Sequence, residues 1–295
     1  MELRVLRFFL AVAQEGNISR AAQAVHISQP NLSRQIIALE KELKTRLFER
    51  GTKKRHLSLT QEGELLRKRA EELITLANKT KAEFSAPEGQ ITGDLYVGGG
   101  ETEGMRLVAK TIRHMQRQHP LVRYHLFSGN AADVTERLDK GLLDFALLIG
   151  AAKLERYDYI TLPRQDRWGV LLPARHPLAA LSVIRAKDLE GVPLVVSQQA
   201  ERYNELSGWF GKAASKPDIV ATYNLIYNAA LLVEENIGCA LALEKLVNTA
   251  GDSSLCFRPL EPAVYSPLYL IWKKHTVFSK AAEQFLKEIR ALCRI

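Results

Sequence analysis

The stretch from residue 19 to residue 50 constrains the fold most, because it combines two helical patterns, a short turn and a basic exit. Ser19 is a plausible N-cap of a short, alanine-rich helix, whose small side chains allow a second helix to approach closely. Ser28 can cap that second helix, and Pro30 is tolerated in its first turn. Apolar residues then recur at steps of four, three and four: Leu32, Ile36, Leu39 and Leu43. The stretch therefore predicts a helix-turn-helix whose second helix buries one stripe.

Polar residues occupy the start of the second helix. In a helix-turn-helix, this end of the helix meets base edges in the major groove, where Gln, Asn and Arg make paired hydrogen bonds. We therefore expect a DNA interface made of Ser19, Gln29, Pro30, Asn31, Ser33 and Arg34. The expected base contacts within it are Gln29, Pro30, Ser33 and Arg34. A packed helical pair with solvated polar residues is the alternative interpretation.

A basic turn follows the two helices. Cationic residues flank Gly51-Thr52, and Leu57 and Leu59 alternate with Ser58 as in a short strand. This pattern predicts a hairpin wing whose tip meets phosphates or the adjacent minor groove. The expected backbone contacts are Arg50, Lys53, Lys54 and Arg55.

In order and spacing, residues 1 to about 60 resemble the winged helix-turn-helix of the LysR-type transcriptional regulators. The resemblance rests on Leu6 to Ala13, Ser19 to Ala22, Ser28 to Ile36, Leu39-Glu40, Leu47 to Arg50 and Leu59-Thr60. It implies a sequence-specific DNA-binding transcriptional regulator whose partner is a double-stranded DNA operator. An adaptor that uses the helix pair for protein contacts remains an alternative.

Most of the positive charge lies in the same region. Residues 1–58 carry eleven Lys and Arg against five acidic residues, a net of +6 out of +8 for the whole chain. The remaining residues are therefore close to neutral. A localised basic excess is typical of a surface that binds phosphate.

The composition is that of a soluble globular protein, with 46% hydrophobic and 25% charged residues, and 295 residues suggest two or three domains. No apolar run approaches the roughly 18 residues of a membrane span, and the N-terminus is amphipathic rather than a signal peptide. We therefore expect a cytoplasmic protein without a membrane partner. The wide spacing of Cys239, Cys256 and Cys293 favours buried reduced thiols, with a redox sensor as the alternative.

A long helix is expected after Thr60, a plausible N-cap, because no proline occurs before Pro87. Its apolar positions repeat at steps of four and three: Leu66, Ala70, Leu73, Ala77, Thr80 and Phe84. This pattern predicts a seam that pairs with a second copy of the chain, and packing on the chain's own domain is the alternative. LysR-type proteins dimerise through a helix in this position and are usually tetramers.

From Pro87 onward, short apolar runs alternate with amphipathic helices, which predicts an α/β domain with a mainly parallel sheet. The expected strands are Leu95 to Val97, Tyr124 to Phe127, Phe145 to Ile149, Gly169 to Leu172, Leu194 to Val196, Ile219 to Tyr223, Cys239 to Leu243 and Leu268 to Trp272. The resemblance implies a two-lobed effector domain similar to periplasmic binding proteins. The expected domains are 1–58 (winged helix-turn-helix), 59–87 (linker helix) and 88–295, with lobe I about 88–161 and 266–295 and lobe II about 162–265.

The glycine-rich stretch from Gly98 to Gly104 follows the first of these strands. It lacks the Gly-Lys-Ser/Thr ending of a phosphate loop, and Glu103 stands where a dinucleotide fingerprint needs glycine. It remains a strand-to-helix turn whose free N–H groups could bind a ligand, or a tight turn without further role.

By position, the resemblance implies a cleft that binds a small-molecule effector. The implied lining is Gly100, Glu101, Thr102, Ser128, Gly129, Asn130, Ile149, Gly150, Ser197, Gln198, Gln199, Tyr223 and Asn224. Many members of the family present Ser or Thr at the first loop, whereas here Glu101 and Glu103 bring negative charge. We therefore expect an effector that is neutral and rich in hydroxyl groups, or cationic, or that carries a cation.

Catalytic motifs are missing from the sequence. The seven histidines form neither HExxH nor an i, i+4 pair, and there is no GxSxG elbow. We expect no enzyme activity, no catalytic residue, no metal and no cofactor. A solute-binding protein is the alternative for the C-terminal half alone, although it would need an export signal.

Overall fold

The computed structural model describes residues 1–50, 57–84, 90–150, 154–198, 206–211 and 217–294. These residues belong to two compact units, Met1–Ser85 and Ala86–Ile295. Within the described ranges, no helix is both long and apolar enough to cross a membrane.

The first unit is a winged helix-turn-helix followed by a long helix. Its elements are α1 (Leu3–Glu15), α2 (Ile18–Ala24), α3 (Gln29–Leu43), β1 (Phe48–Arg50), β2 (Leu57–Leu59) and α4 (Gln61–Phe84). The core is formed where α1, α2 and α3 meet, around Phe9, Ala21 and Leu32, all of which are fully buried. The small Ala21 and Ala22 allow the close packing of α2 that the sequence predicted.

The helix ends differ in part from the sequence expectation. Asn17, not Ser19, caps α2, because its side chain accepts hydrogen bonds from the backbone N–H groups of Ser19 and Arg20 at 2.9 and 3.1 Å. Ser28 holds the N-cap position of α3, as expected, and Pro30 lies in the first turn. The expected stripe is buried at Leu32, Ile36 and Leu39, but not at Leu43, which is 38% exposed at the end of the helix.

The wing begins as an antiparallel hairpin in which Phe48 pairs with Leu59 and Arg50 with Leu57. The carboxylate of Glu40 on α3 accepts hydrogen bonds from the N–H groups of Leu47 and Phe48, at 2.8 and 3.3 Å. Helix α3 and the wing are therefore fixed to each other. The predicted tip residues Lys53, Lys54 and Arg55 lie outside the described residues.

Helix α4 is tied to the first unit at its start. The hydroxyl of Thr60 accepts a hydrogen bond from the N–H of Gly63 at 2.9 Å, which confirms the expected cap. A side chain at Gly63 would bring its Cβ to 2.2 Å from the carbonyl oxygen of Leu47, so only glycine allows this approach. Leu66 and Ala70 continue the contact with the helix-turn-helix core.

The predicted seam of α4 is therefore wrong in its first half. Leu66 and Ala70 pack on the chain's own domain, which was the alternative interpretation. A second apolar stripe lies beside this buried face and is exposed: Leu65, Leu73, Leu76 and Phe84. The predicted seam combined residues of both faces, because apolar residues of small and large size occur on each face and periodicity does not separate them.

The second unit contains the remaining helices and strands. They are β3 (Gly93–Gly99), α5 (Met105–Gln118), β4 (Val122–Ser128), α6 (Ala131–Asp139), β5 (Phe145–Ile149), β6 (Tyr157–Pro173), β7 (Leu194–Ser197), α7 (Ser207–Phe210), β8 (Ile219–Tyr223), α8 (Ile226–Glu234), β9 (Cys239–Leu243), β10 (Leu255–Pro259), β11 (Tyr265–Lys273) and α9 (Lys280–Cys293). Short 3-10 turns lie at Pro177–Ala180 and Ala186–Leu189. Each of the eight strands expected from the sequence lies inside an observed strand, whereas β10 was not expected.

The strands of the second unit follow one another in the order β4-β3-β5-β11-β6-β9-β7-β8, and β10 also pairs with β6. Parallel pairs join β3 to β4 and β5, and β7 to β8 and β9. The pairs that involve β6 and β11 are antiparallel. The expectation of a mainly parallel sheet is therefore wrong at the centre of the sheet. Strand direction could not be predicted there, because a strand buried on both faces has the same apolar pattern whichever way it runs.

Two lobes form around the two halves of β6. In the first, β3, β5 and β11 pack against α5 and α9 around Phe145 and Phe285. In the second, β7, β9 and the end of β6 form a core around Val170 and Leu241, and α8 covers the other face. Ile149 touches both lobe cores, so the ends of β3 and β5 lie where the lobes meet.

Candidate DNA interface and ligand cleft

The start of helix α3 presents a row of exposed polar residues. Gln29, Pro30, Asn31 and Arg34 are exposed, and Ser33 is half-buried. The guanidinium Nε of Arg34 donates a long hydrogen bond of 3.4 Å to the carbonyl of Pro30. The bond is weak, so the side chain of Arg34 can turn toward a base edge at little energetic cost.

Ser19 lies on α2 and is exposed beside Arg20. Arg20 donates to the carbonyl of Glu15 at 2.7 Å and also pairs with the Glu15 carboxylate at 3.5 Å. This pairing orients the start of α2, an effect that the sequence pattern did not indicate. The backbone of Arg50 lies in β1, and the other expected phosphate contacts fall outside the described residues.

A cavity lies between the two lobes of the second unit. It brings together eight of the residues expected from the resemblance: Gly100, Glu101, Gly129, Asn130, Ile149, Ser197, Tyr223 and Asn224. Four further residues complete the described lining and were missed: Trp168, Ile226, Leu243 and Leu246. These four are apolar and lie within or after buried segments, where the sequence pattern does not separate cavity walls from core.

Four expected residues do not line this cavity, namely Thr102, Ser128, Gly150 and Gln198, and Gln199 lies outside the described residues. Gln198 instead donates to the hydroxyl of Thr222 on the neighbouring strand, at 3.3 Å. Ser128 and Gly150 adjoin residues that do line the cavity.

Thr102 is buried and points toward strand β6. Its hydroxyl donates to the carboxylate of Asp166 and accepts from the N–H of Gly104 at 2.9 Å. Burial raises the pKa of Asp166, the Thr102 hydrogen bond opposes that shift, and the charges of Glu103 and Glu244 add to it. Thr102 therefore fixes the loop after β3 to the strand that joins the lobes.

Glu101 and Glu103 have different surroundings. Glu103 forms a bidentate pair with Arg106, at 2.7 and 2.9 Å, and this hydrogen bonding lowers its pKa. Glu101 lines the cavity, and its carboxylate accepts a hydrogen bond from the backbone N–H of Ile226 in the other lobe. Of these two carboxylates, Glu101 is the one that brings its charge to the cleft.

The polar atoms of the two aromatic residues in the described lining are hydrogen-bonded within the protein. The hydroxyl of Tyr223 donates to the carbonyl of Leu241 at 2.8 Å, and burial raises the pKa of this phenol. The indole N–H of Trp168 donates to the hydroxyl of Ser266 at 2.8 Å. Their rings are left to form an apolar wall, which suits the flat or aliphatic part of a small molecule.

Two turns bring backbone close to the cavity. A Cβ on Gly100 would lie 3.1 Å from Ile149, and a Cβ on Gly129 would lie 3.0 Å from Asp133 and Phe127. Asn130 caps α6 by accepting hydrogen bonds from the N–H groups of Ala132 and Asp133, at 2.9 and 3.0 Å. Its side-chain oxygen therefore serves the helix rather than a ligand.

The three cysteines are free thiols. Burial raises the pKa of Cys239 to about 11, and it also raises the pKa of Cys256 and Cys293. Thiolates, the reactive form, are therefore disfavoured at neutral pH. In the parts of the chain that are described, no group of three or more His, Cys, Asp or Glu side chains could hold a metal ion.

A winged helix-turn-helix together with a two-lobed, cleft-bearing domain defines a DNA-binding regulator with a ligand-binding module. Two family models match the chain: "Bacterial regulatory helix-turn-helix protein, lysR family" over residues 3–64, and "LysR substrate binding domain" over residues 88–294. The chain belongs to the LysR family of transcriptional regulators. It is a sequence-specific DNA-binding regulator with a C-terminal effector domain.

Known proteins are similar to this chain in sequence or in structure over most of its length. The Hca operon transcriptional activator HcaR of Escherichia coli K12 is 31% identical over 278 residues, which cover 93% of this chain and 92% of HcaR. The uncharacterised regulator YvbU of Bacillus subtilis 168 is 26% identical over 99% of both chains. The crystal structure of CbnR, a LysR family transcriptional regulator, has a TM-score of 0.80 at 21% identity and 99% coverage of both chains. CbnR bound to its target DNA has a TM-score of 0.78 at 22% identity, again over 99% of both chains.

Proposed function

We propose that the start of helix α3 reads the operator. The exposed row on α3 carries the proposal, because it offers hydrogen-bonding side chains at the end of the helix that enters the major groove. The proposed interface comprises Ser19, Gln29, Pro30, Asn31, Ser33 and Arg34, with Arg50, Lys53, Lys54 and Arg55 on the phosphate backbone. The basic excess of residues 1–58 supports it.

The cleft between the lobes is the proposed effector site. Its apolar walls and its few polar groups are typical of small-molecule sites. The effector shifts DNA binding only by its differential affinity for two arrangements of the lobes, and these arrangements alter the spacing of paired helix-turn-helix units. The paired units arise from self-association through α4 into a dimer, and dimers assemble into a tetramer.

The protein acts in the cytoplasm, where the operator lies, and its role is regulatory rather than catalytic. The relatives support this role, since they are named as transcriptional regulators.

Binding to genomic DNA tests the proposal. The full-length chain is mixed with fragmented DNA of its source organism at about 150 mM salt, and the retained fragments are sequenced. We expect a few fragments to be strongly enriched and to share a pseudo-palindromic motif with half-sites about one or two helical turns apart. Retention of fragments without sequence preference would contradict the proposal. Adding a library of small molecules then identifies effectors that shift the midpoint of binding.

A further inference from the structure

Helix α8 begins without a cap from its own segment. Leu225 holds the N-cap position and has no side-chain acceptor, and the side-chain oxygen of Asn224 accepts from the N–H of Leu225 at 3.0 Å. The N–H of Ile226 donates instead to the carboxylate of Glu101, 125 residues away along the chain. The first N–H of the helix therefore takes its acceptor from the other lobe.

The charge of Glu101 suits this position. The first N–H groups of a helix lack intrahelical acceptors and, together with the helix dipole, favour an anion. Glu101 is also the one charged residue among the described residues that line the cavity. The described lining thus supplies no cation for a ligand carboxylate, and the anion position at α8 is already taken.

We propose that Glu101 is a built-in carboxylate ligand of the cleft. It occupies the place at the start of α8 where a free carboxylate would bind, and it links the two lobes. The inference rests on the proposed effector site and narrows its chemistry. Effectors are neutral or cationic molecules that donate hydrogen bonds to Glu101 and lay an apolar part against Trp168 and Tyr223. Simple carboxylates are disfavoured because Glu101 repels them and already holds the N–H of Ile226 at the start of α8.

Chemical complementation tests the proposal, with acetate as the probe. Glu101→Ala removes a fragment of the size of acetate, so that acetate can fill the vacated position at α8. The melting temperatures of full-length wild type, Glu101→Ala and Glu103→Ala are measured in sodium acetate and in sodium chloride of equal ionic strength. Glu103→Ala is the matched control, because it removes the same charge from the same loop but does not line the cavity.

We expect acetate to raise the melting temperature of Glu101→Ala by about 2 °C or more, since a ligand that binds only the folded state stabilises it. Wild type and Glu103→Ala do not respond. An equal response of all three proteins, or no response of a folded Glu101→Ala variant, would overturn the proposal.

Hydrogen exchange on Glu101→Gln gives a second readout if the alanine variant does not fold. We expect the peptide around Ile226 to exchange faster than in wild type, because the charged acceptor is lost, and unchanged exchange would overturn the proposal. Neither measurement involves DNA. If both measurements fail but the protein still binds specific DNA, the proposal for Glu101 is wrong and the regulator function is unaffected. If specific DNA binding is absent, the regulator function is wrong, and the two measurements still test the Glu101 contact.

Discussion

Arg34 and its neighbours on helix α3 show how much a sequence can reveal at the scale of single residues. Their exposure follows from the position of the buried stripe, so both the helix and its polar row could be predicted. The hydrogen bond between Glu101 and the start of α8 could not be predicted, because its partner Ile226 lies 125 residues away along the chain. Thr102 was misplaced for a similar reason, since its partner Asp166 lies on β6, 64 residues further along.

Replacing Arg34 tests base readout. We expect Arg34→Ala to lose about 1 to 3 kcal/mol of discrimination at one base pair of the operator, because a paired hydrogen bond to a base is removed. Affinities for single-base operator variants, measured by fluorescence anisotropy, report this loss. Lys54→Ala is expected to weaken binding to all sequences alike, and Arg4→Ala, on the exposed side of α1, is the control for charge. Unchanged preference in Arg34→Ala speaks against a base contact.

The raised pKa of Asp166 makes stability depend on pH. Because the folded state raises this pKa, the carboxyl contributes stability at low pH that is lost as the pH rises through the raised pKa. We expect Asp166→Asn, which keeps an acceptor for Thr102, to be more stable than wild type at pH 7 and to lose this advantage toward about pH 4. Urea midpoints across this range measure the difference, with the exposed Asp158→Asn as control. A difference that does not change with pH contradicts the expectation.

Helix α4 shows the limits of periodicity at the scale of elements. The helix and its cap at Thr60 were predicted correctly, but the periodicity merged two adjacent apolar faces into one seam. One face is buried against the helix-turn-helix through Ala70, and the other is exposed through Leu73 and Leu76. The strands were likewise predictable, but not the antiparallel centre, because direction is set by long-range pairing of β6 and β11.

Substitution of Gly63 tests the close approach of α4. We expect Gly63→Ala to destabilise the folded protein by about 1 to 3 kcal/mol, because the added Cβ would overlap the carbonyl of Leu47. Urea denaturation measures the loss, and Glu62→Ala, exposed in the same turn, serves as the control. Equal stability of the two variants would show that α4 can shift without cost.

The exposed face of α4 is the expected self-association surface. We expect Leu73→Glu with Leu76→Glu to lower the oligomeric state, because two charges would be buried without partners. Light scattering coupled to size exclusion reports the mass. Thr75→Glu, on the polar side of the same helix, should leave the mass unchanged. An unaltered oligomer in the double variant excludes this face.

At the scale of the whole molecule, one unit offers a surface suited to DNA and the other a cleft suited to a small molecule. Recognition of DNA by the first unit is expected to depend on base sequence and not on charge alone. It is tested by the ratio of affinities for an enriched operator and for a scrambled duplex of the same length and composition at about 150 mM salt. We expect a ratio of about 1,000 or more, with both affinities falling as the salt concentration rises. A ratio close to one would contradict it.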